Sequence, residues 1–167
     1  PQGETTAVHR AFGGKLQSSL RCTNCRHASK TTEAFLDLSL NVMGGTIGTA
    51  MDSFIGTERM GKGNRWRCPK CRTKVRAEKQ LTLEAAPPVL VLHLKRFSNR
   101  GAKLRQHVRF SVKQDMKAYS TEAREQQLAN DGGWQYTLTG VIVHHGENAG
   151  QGHYTAIVRS RDQKWYS

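Results

Sequence analysis

Four cysteines carry the first chemical suggestion in this sequence. Cys22/Cys25 and Cys68/Cys71 form two Cys-x-x-Cys pairs with 42 residues between them. Each pair supplies two sulfurs from a tight turn, and two such turns grip one tetrahedral zinc ion in zinc ribbons. Thr23-Asn24 and Pro69-Lys70, the residues inside the pairs, suit turns. Arg21, Arg26, Arg67, Lys70 and Arg72 lie close by and favour the thiolate form. A redox dithiol, or disulfides in any of three pairings, are the alternatives, although nothing in the chain points to an oxidising compartment. Ligands so distant in sequence would join two separate hairpins, so the metal would close a large loop and contribute to folding.

Histidine is the second candidate group. Among the seven present, His9 and His27 lie in polar surroundings and read as surface residues. His93 falls inside the run VLVLHLKRF and reads as a satisfied core residue, whereas His107 precedes a strand with no obvious partner. His144 and His153 flank the connector Gly146–Gly152, which holds three glycines. An antiparallel hairpin would bring these two rings together at its strand ends, beside a mobile loop. A histidine so placed can act as a general base, because its unperturbed pKa of about 6.5 lies near working pH. Spacing alone leaves hairpin packing and substrate hydrogen bonding equally open.

The elements that must position these groups follow from the apolar periodicity. After an irregular start, Phe12-Gly13-Gly14 forms a flexible entry to a strand over 15–21 that runs into the first cysteine pair. Ala34, Leu36, Leu38, Leu40 and Val42 alternate with polar residues, which predicts one half-buried strand from Thr32 to Val42. Ile47, Ala50, Met51, Phe54 and Ile55 then mark one face of a helix, with Thr46 as its N-cap and Gly56 as its stop. Residues 61–64 loop into the second cysteine pair, and Leu81–Leu83 is a strand leaving it. Pro87-Pro88 precedes Val89–Phe97, apolar on both faces at first, as in a central buried strand. Val108, Phe110 and Val112 alternate as another strand. Residues 115–133 read as a surface excursion or short exposed helix. Strands over 135–145 and 153–160 and an edge piece over 164–166 close the chain. The expected class is α+β on a mainly antiparallel sheet, with the cysteine hairpins projecting as a subdomain.

Composition narrows the setting. The 167 residues can bury a sizeable core without staples. No apolar run approaches the roughly twenty residues that span a bilayer, which argues against an integral membrane protein. The first residues, PQGETTAVHR, show neither a starting Met nor a signal pattern and read as the interior of a longer protein. Lys plus Arg is 26 against 13 acids, a net charge of +13. Residues 59–109 hold 15 of those cations and only two acids, Glu78 and Glu84. Such a stretch attracts polyanions or acidic protein surfaces, unless it is simply a solvated face.

The blocks FGGKLQSSLRCTNC, FLDLSL, CPKC, APPVLVLHLKRF, YTLTGVIVHHGENAGQGHYTAIVR and KWYS, in this order and spacing, closely resemble the ubiquitin-specific proteases. These are papain-like cysteine proteases that remove ubiquitin from proteins, and the resemblance runs from Phe12 to Ser167. It implies a fold of fingers, palm and thumb, with the thumb absent here: fingers over about 12–83 and palm over about 84–167. It implies that Cys22, Cys25, Cys68 and Cys71 hold one structural zinc at the fingertips. It also implies that His153, in the Gly-His-Tyr motif, is the general base. His144, Gly152 and Tyr154 would contact the extended ubiquitin tail. The family's nucleophilic cysteine lies in an amino-terminal block with no counterpart in this chain, and its orienting Asp or Asn follows the aromatic pair matching Trp165-Tyr166. The resemblance therefore implies a deubiquitinating cysteine protease of which this segment alone is inactive. A ubiquitin-binding pseudoenzyme and a basic zinc-ribbon nucleic-acid binder are the alternatives. The expected partners are ubiquitin, its conjugates and, weakly, polyanions through residues 59–109. The expected location is nucleus or cytoplasm, with the basic charge favouring the nucleus.

Overall fold

The computed structural model describes residues 6–61, 63–125 and 133–167. The first five residues, Lys62 of the loop before the second cysteine pair, and residues 126–132 of the expected excursion lie outside them. A six-residue helix, α1 (Ala7–Phe12), is capped by the Thr6 hydroxyl and leads into strand β1 (Gly14–Cys22). The entry is not flexible: Gly13 N–H bonds to the His9 carbonyl, and Gly14 is buried against Phe35. A Cβ at Gly14 would sit 2.3 Å from the Phe35 ring, so only glycine permits that approach.

β1 is the spine of a four-stranded antiparallel sheet. It pairs with β2 (Ala28–Phe35) on one side and β7 (Ala77–Ala85) on the other, and β4 (Glu58–Arg59) adds to the far edge. Two further short strands, β5 (Trp66–Arg67) and β6 (Lys74–Val75), form a hairpin around the second cysteine pair.

The single strand expected over 32–42 is in fact two. The backbone bends at residues 36–37, and the chain resumes as β3 (Leu38–Asn41). The bend shifts the buried side: Phe35, Leu38, Leu40 and Val42 are inside, whereas Leu36 is exposed. Period-two patterning carries straight through such a bend and cannot reveal it. Helix α2 (Ile47–Phe54) forms as its periodicity predicts, and Thr46 and Thr49 make a reciprocal capping box. It buries Ile47, Ala50 and Met51 against β3.

The stretch VLVLHLKRF is not a central buried strand. Only β8 (Leu92–Lys95) is regular, and it pairs in parallel with β3, Leu38 opposite Leu92 and Leu40 opposite Leu94. Val89 and Val91 are exposed, and His93, expected in the core, is exposed with its ring 3.1 Å from the Ser39 hydroxyl. One side of this two-stranded pair faces the core, and the alternating residues face outward. Val108 is buried, but Phe110 and Val112 are exposed and form no strand; the regular strand that follows is β9 (Lys113–Asp115).

The polar stretch after β9 is not a surface excursion where it is described. Met116, Ser120 and Tyr119 are buried in the turn that includes the 3-10 helix Lys117–Tyr119 and the start of α3 (Thr121–Arg124). Thr82 and Thr121 satisfy each other at 2.7 Å, which lets two hydroxyls sit buried between β7 and α3. The main core joins Phe35, Leu38, Leu40, α2, Leu83, Val108, Met116, Tyr119 and Trp134. Fully burying each large side chain of this set is worth about 1.5–3 kcal/mol. A second, smaller core holds Cys22, Cys68 and Val75.

The chain closes through β10 (Gln135–Thr137), paired with β9, and then a three-stranded antiparallel sheet: β11 (Gly140–Asn148), β12 (Gln151–Arg159) and β13 (Trp165–Tyr166). The architecture is α+β with mostly antiparallel strands, the β3–β8 pair being parallel. No helix among the described residues is long and apolar enough to cross a membrane.

Candidate functional site

All four cysteines of the sequence meet at one point. Their Sγ atoms lie within 4.8 Å of one another, with Cys22 to Cys71 at 3.8 Å and Cys25 to Cys68 at 3.6 Å. No disulfide joins them. A tetrahedron with metal–sulfur bonds of about 2.3 Å has edges of about 3.8 Å, so the sulfurs stand where such a metal needs them.

The two turns are near copies. Cys25 N–H points at Cys22 Sγ at 3.4 Å, and Cys71 N–H points at Cys68 Sγ at the same distance. Arg26 N–H bonds to the Cys22 carbonyl and Arg72 N–H to the Cys68 carbonyl. Both arginines are left-handed, with φ of 58° and 57°. That conformation costs a side-chain-bearing residue about 1–2 kcal/mol and is usually left to glycine.

Charge in this cluster is unevenly placed. The Cys22 thiol is drawn down to about 7, chiefly by the backbone N–H of Cys25 at its sulfur. Cys71 is pushed up to about 12, first by its hydrogen-bonded contact with Cys25 and then by burial. Thiolates crowded this closely oppose one another unless a cation lies among them. Two of the sulfurs belong to buried residues, and the donor set is closed at four, which suits a structural ion.

The second site is the β11–β12 hairpin. The expected connector over 146–152 is mostly strand: pairing continues to Asn148 opposite Gln151, leaving Ala149-Gly150 as the turn. Asn148 Oδ1 accepts from the N–H groups of Gly150 and Gln151, both at 3.1 Å, and fixes that turn.

Register also separates the two histidines. His144 lies opposite Tyr154, and His145 lies opposite His153. Adjacent rungs of a ladder point to opposite faces, so His144 and His153 do not share a face as expected. One face carries Ile142, His144, Tyr154, Val158 and Tyr166; the other carries Val141, Val143, His145, His153 and Thr155.

On its own face His144 is enclosed. Phe97 meets it edge-on at 5.5 Å, and Tyr154 lies tilted against it at 4.8 Å. Lys103 Nζ lies 3.3 Å from its Nδ1, 2.7 Å from its carbonyl oxygen and 2.9 Å from the Gly146 carbonyl. An ammonium only donates, so the contact is a hydrogen bond in the tautomer whose Nδ1 accepts and whose proton is on Nε2. Gly152 presses close, with φ of 155°; a Cβ there would lie 2.2 Å from His144 Nε2. On the other face His153 is exposed, without a hydrogen-bond partner among the described residues, while His145 Nε2 sits 2.9 Å from the Thr155 hydroxyl.

A basic segment braces the hairpin from the side. Phe97 bridges to Lys103, Ala102 bridges to Asn148, and Arg105 pairs with Glu147. The Arg105 guanidinium holds the Glu147 carboxyl below the usual carboxylate range.

Two contributors left little trace in the sequence. Lys103 was one of many cations in a basic stretch, and nothing in its spacing marks it as a brace. His145 follows His144 directly, and counting back from a two-residue turn would have placed Gly146 opposite His153; the register shift between His145 and Asn148 puts His145 there instead.

A family model described as ubiquitin carboxyl-terminal hydrolase matches residues 1–167. Ubiquitin carboxyl-terminal hydrolase 23 of Arabidopsis thaliana is 39% identical over 163 residues, covering 96% of this chain and 18% of that protein. The probable ubiquitin carboxyl-terminal hydrolase 16 of Schizosaccharomyces pombe is 33% identical, covering 99% of this chain and 35% of its own length. In structure, a chain of the SAGA Ubp8/Sgf11/Sus1/Sgf73 DUB module bound to ubiquitin aldehyde superimposes with a TM-score of 0.81 at 30% identity, covering 96% of this chain and 36% of that one. The chain thus spans roughly a fifth to a third of the proteins it matches here.

Proposed function

The chain belongs to the ubiquitin carboxyl-terminal hydrolase family, and on that footing we propose that it is the fingers and palm of a cysteine deubiquitinase. The observation that carries this reading is the hairpin. An exposed imidazole, His153, follows a glycine on a rigid strand, and the opposite face presents a second, braced imidazole beside the same glycine.

In this mechanism the nucleophile comes from outside the described segment, because all four cysteines of the sequence are committed to the sulfur cluster. His153 takes the proton of that thiol. The thiolate bonds to the carbonyl carbon of ubiquitin's terminal glycine, and the carbon–nitrogen bond to the lysine side chain breaks. His153 returns its proton to the departing amine. It then accepts a proton from water, which adds to the acyl-enzyme and releases ubiquitin's carboxylate and the thiol. An Asp or Asn following Tyr166 would hold the imidazole in its useful tautomer, as in Cys-His-Asn proteases. β13 supports this placement, since it pairs directly with the strand that bears His153.

His144 serves binding. Its Nε2–H, fixed by Lys103 at the other nitrogen, is a donor for a carbonyl of the ubiquitin tail. Gly152, having no side chain, lets the His144 ring sit against the strand where the tail would meet it, and Tyr154 beside that ring lines the tail's path. Zinc is the metal we assign to Cys22, Cys25, Cys68 and Cys71; when bound it crosslinks the two turns and supplies no reaction chemistry. The positive charge of +13 favours a nuclear setting and adds a salt-sensitive attraction to polyanions through residues 59–109.

The test is reaction of the longer protein with ubiquitin bearing a carboxy-terminal electrophile. Covalent capture supports the enzyme; ubiquitin binding without capture replaces it with a pseudoenzyme, and no binding overturns both.

A further inference from the structure

The charge around the two cysteine turns has no role in the proton transfers of the proposed reaction. Between residues 59 and 77 the sequence has eight Lys or Arg and no acid, and it has no acid from residue 5 to residue 32. The structure brings these two stretches together, because Cys22 pairs with Ala77 and Thr23 donates to the Arg76 carbonyl at 3.0 Å. Arg21, Arg26, Arg67, Arg72, Lys74 and Arg76 are all exposed around the sulfur cluster, and none of them makes an ion pair among the described residues. Arg21 and Arg26 line an open pocket of about 380 Å3; its one acid, Glu78, is engaged by Arg59 at 3.5 Å.

Two further observations say what kind of surface this is. At equivalent positions of both turns stands an arginine in the left-handed conformation, where glycine would be free of strain. Each turn thus holds a guanidinium at its rim against local backbone preference. None of the exposed large hydrophobic side chains among the described residues falls between Met43 and Val89. A protein partner is usually held by apolar or aromatic anchors at the centre of the contact, and these tips offer none. Interfaces with nucleic acid are polar and strongly positive, which these tips are. Trp66 is partly covered by its parallel stack on His27 at 6.3 Å, so no open aromatic platform exists for unpaired bases.

We infer that the two cysteine turns form a docking surface for the phosphate backbone of duplex nucleic acid, with Arg26 and Arg72 at its centre. Contacts are to phosphate, so the surface holds a duplex without reading its sequence. This inference goes beyond the deubiquitinase reading, and ubiquitin cleavage plays no part in its test, so each stands or fails separately.

The experiment is fluorescence anisotropy of a labelled 20-base-pair duplex of mixed sequence titrated with the zinc-loaded chain. Four phosphate contacts predict a fall in affinity of about a hundredfold between 50 and 200 mM salt. R26G/R72G removes two contacts while putting glycine where glycine fits, so zinc content and melting should hold. Its affinity should drop at least tenfold, and the salt-driven fall should shrink to about tenfold. R67Q/K74Q, on the β5–β6 hairpin away from the left-handed positions, should weaken binding in the same direction. Unchanged affinity in both variants overturns the inference. So does salt-insensitive binding, or equally tight binding of a polyglutamate peptide, which would make the partner an acidic protein surface.

Discussion

Lys103 donates from Nζ to the carbonyl oxygen of His144 at 2.7 Å, and the same ammonium reaches the Gly146 carbonyl at 2.9 Å. One cation from a separate segment therefore satisfies two carbonyls beside the register shift between His145 and Asn148, and fixes the His144 ring from behind.

Lys103→Met keeps the apolar stem and deletes that donor. Partly buried carbonyls then lose a charge-assisted partner, which costs about 1–2 kcal/mol. Thermal unfolding of the chain should shift down by roughly 2–8 °C. In the longer protein KM for a ubiquitin substrate should rise more than kcat falls, since His153, the proposed base, lies on the other face.

Gly152→Ala tests the close approach to His144. The added Cβ would meet the ring at 2.2 Å and the His145 carbonyl at 2.5 Å, at a φ that side chains rarely adopt. The ring or the strand must move, at a cost of about 1–3 kcal/mol. Isothermal titration with ubiquitin should show clearly weakened binding; unaltered affinity would mean that this glycine is not part of the tail channel.

Metal removal should separate the two cores. Elemental analysis should find one zinc per chain, and Cys68→Ser should abolish it. Stripping the ion with a strong chelator should open the amides of β5, β6 and the end of β1 to hydrogen exchange. The larger core around Leu40, Met51 and Met116 should stay protected.

Acidity should loosen the hairpin through Glu147. Its carboxyl is held below the usual range by Arg105, so the folded form binds a proton less readily than the unfolded one. The pair's contribution is therefore complete above the ordinary glutamate pKa and is lost as pH falls through the lower folded value. Hydrogen exchange at Asn148 and Gln151 should differ between the wild type and Glu147→Gln near pH 7, with the difference vanishing in acid and shrinking in high salt.

Much of this was legible beforehand, and the misses share causes. The cysteine cluster could be read because metal geometry fixes ligand spacing locally. Helix α2 could be read because its period and its Thr46 cap agreed. The bend after Phe35 could not, since alternation of apolar residues continues through it while the buried side changes. VLVLHLKRF misled because an apolar run does not reveal how many sides have neighbours, and among the described residues β8 has its strand partner in β3 alone. The burial of Met116 and Tyr119 was hidden by the polar residues around them. At the hairpin, the glycines suggested a loop over 146–152, whereas the strands continue to Asn148 and Gln151; a register shift between His145 and Asn148, which no residue pattern announces, keeps His153 opposite His145 and puts His144 on the other face.

That register gives the sharpest test. In the longer protein, the turnover of a ubiquitin carrying a fluorescent leaving group should be compared for His153→Ala, His145→Ala and the wild type. Loss of the base should lower the rate by on the order of a hundredfold or more, while its cross-strand neighbour should change it only a few-fold. Full turnover by His153→Ala, or a larger loss in His145→Ala, would contradict the assignment of His153 as the residue that moves the proton.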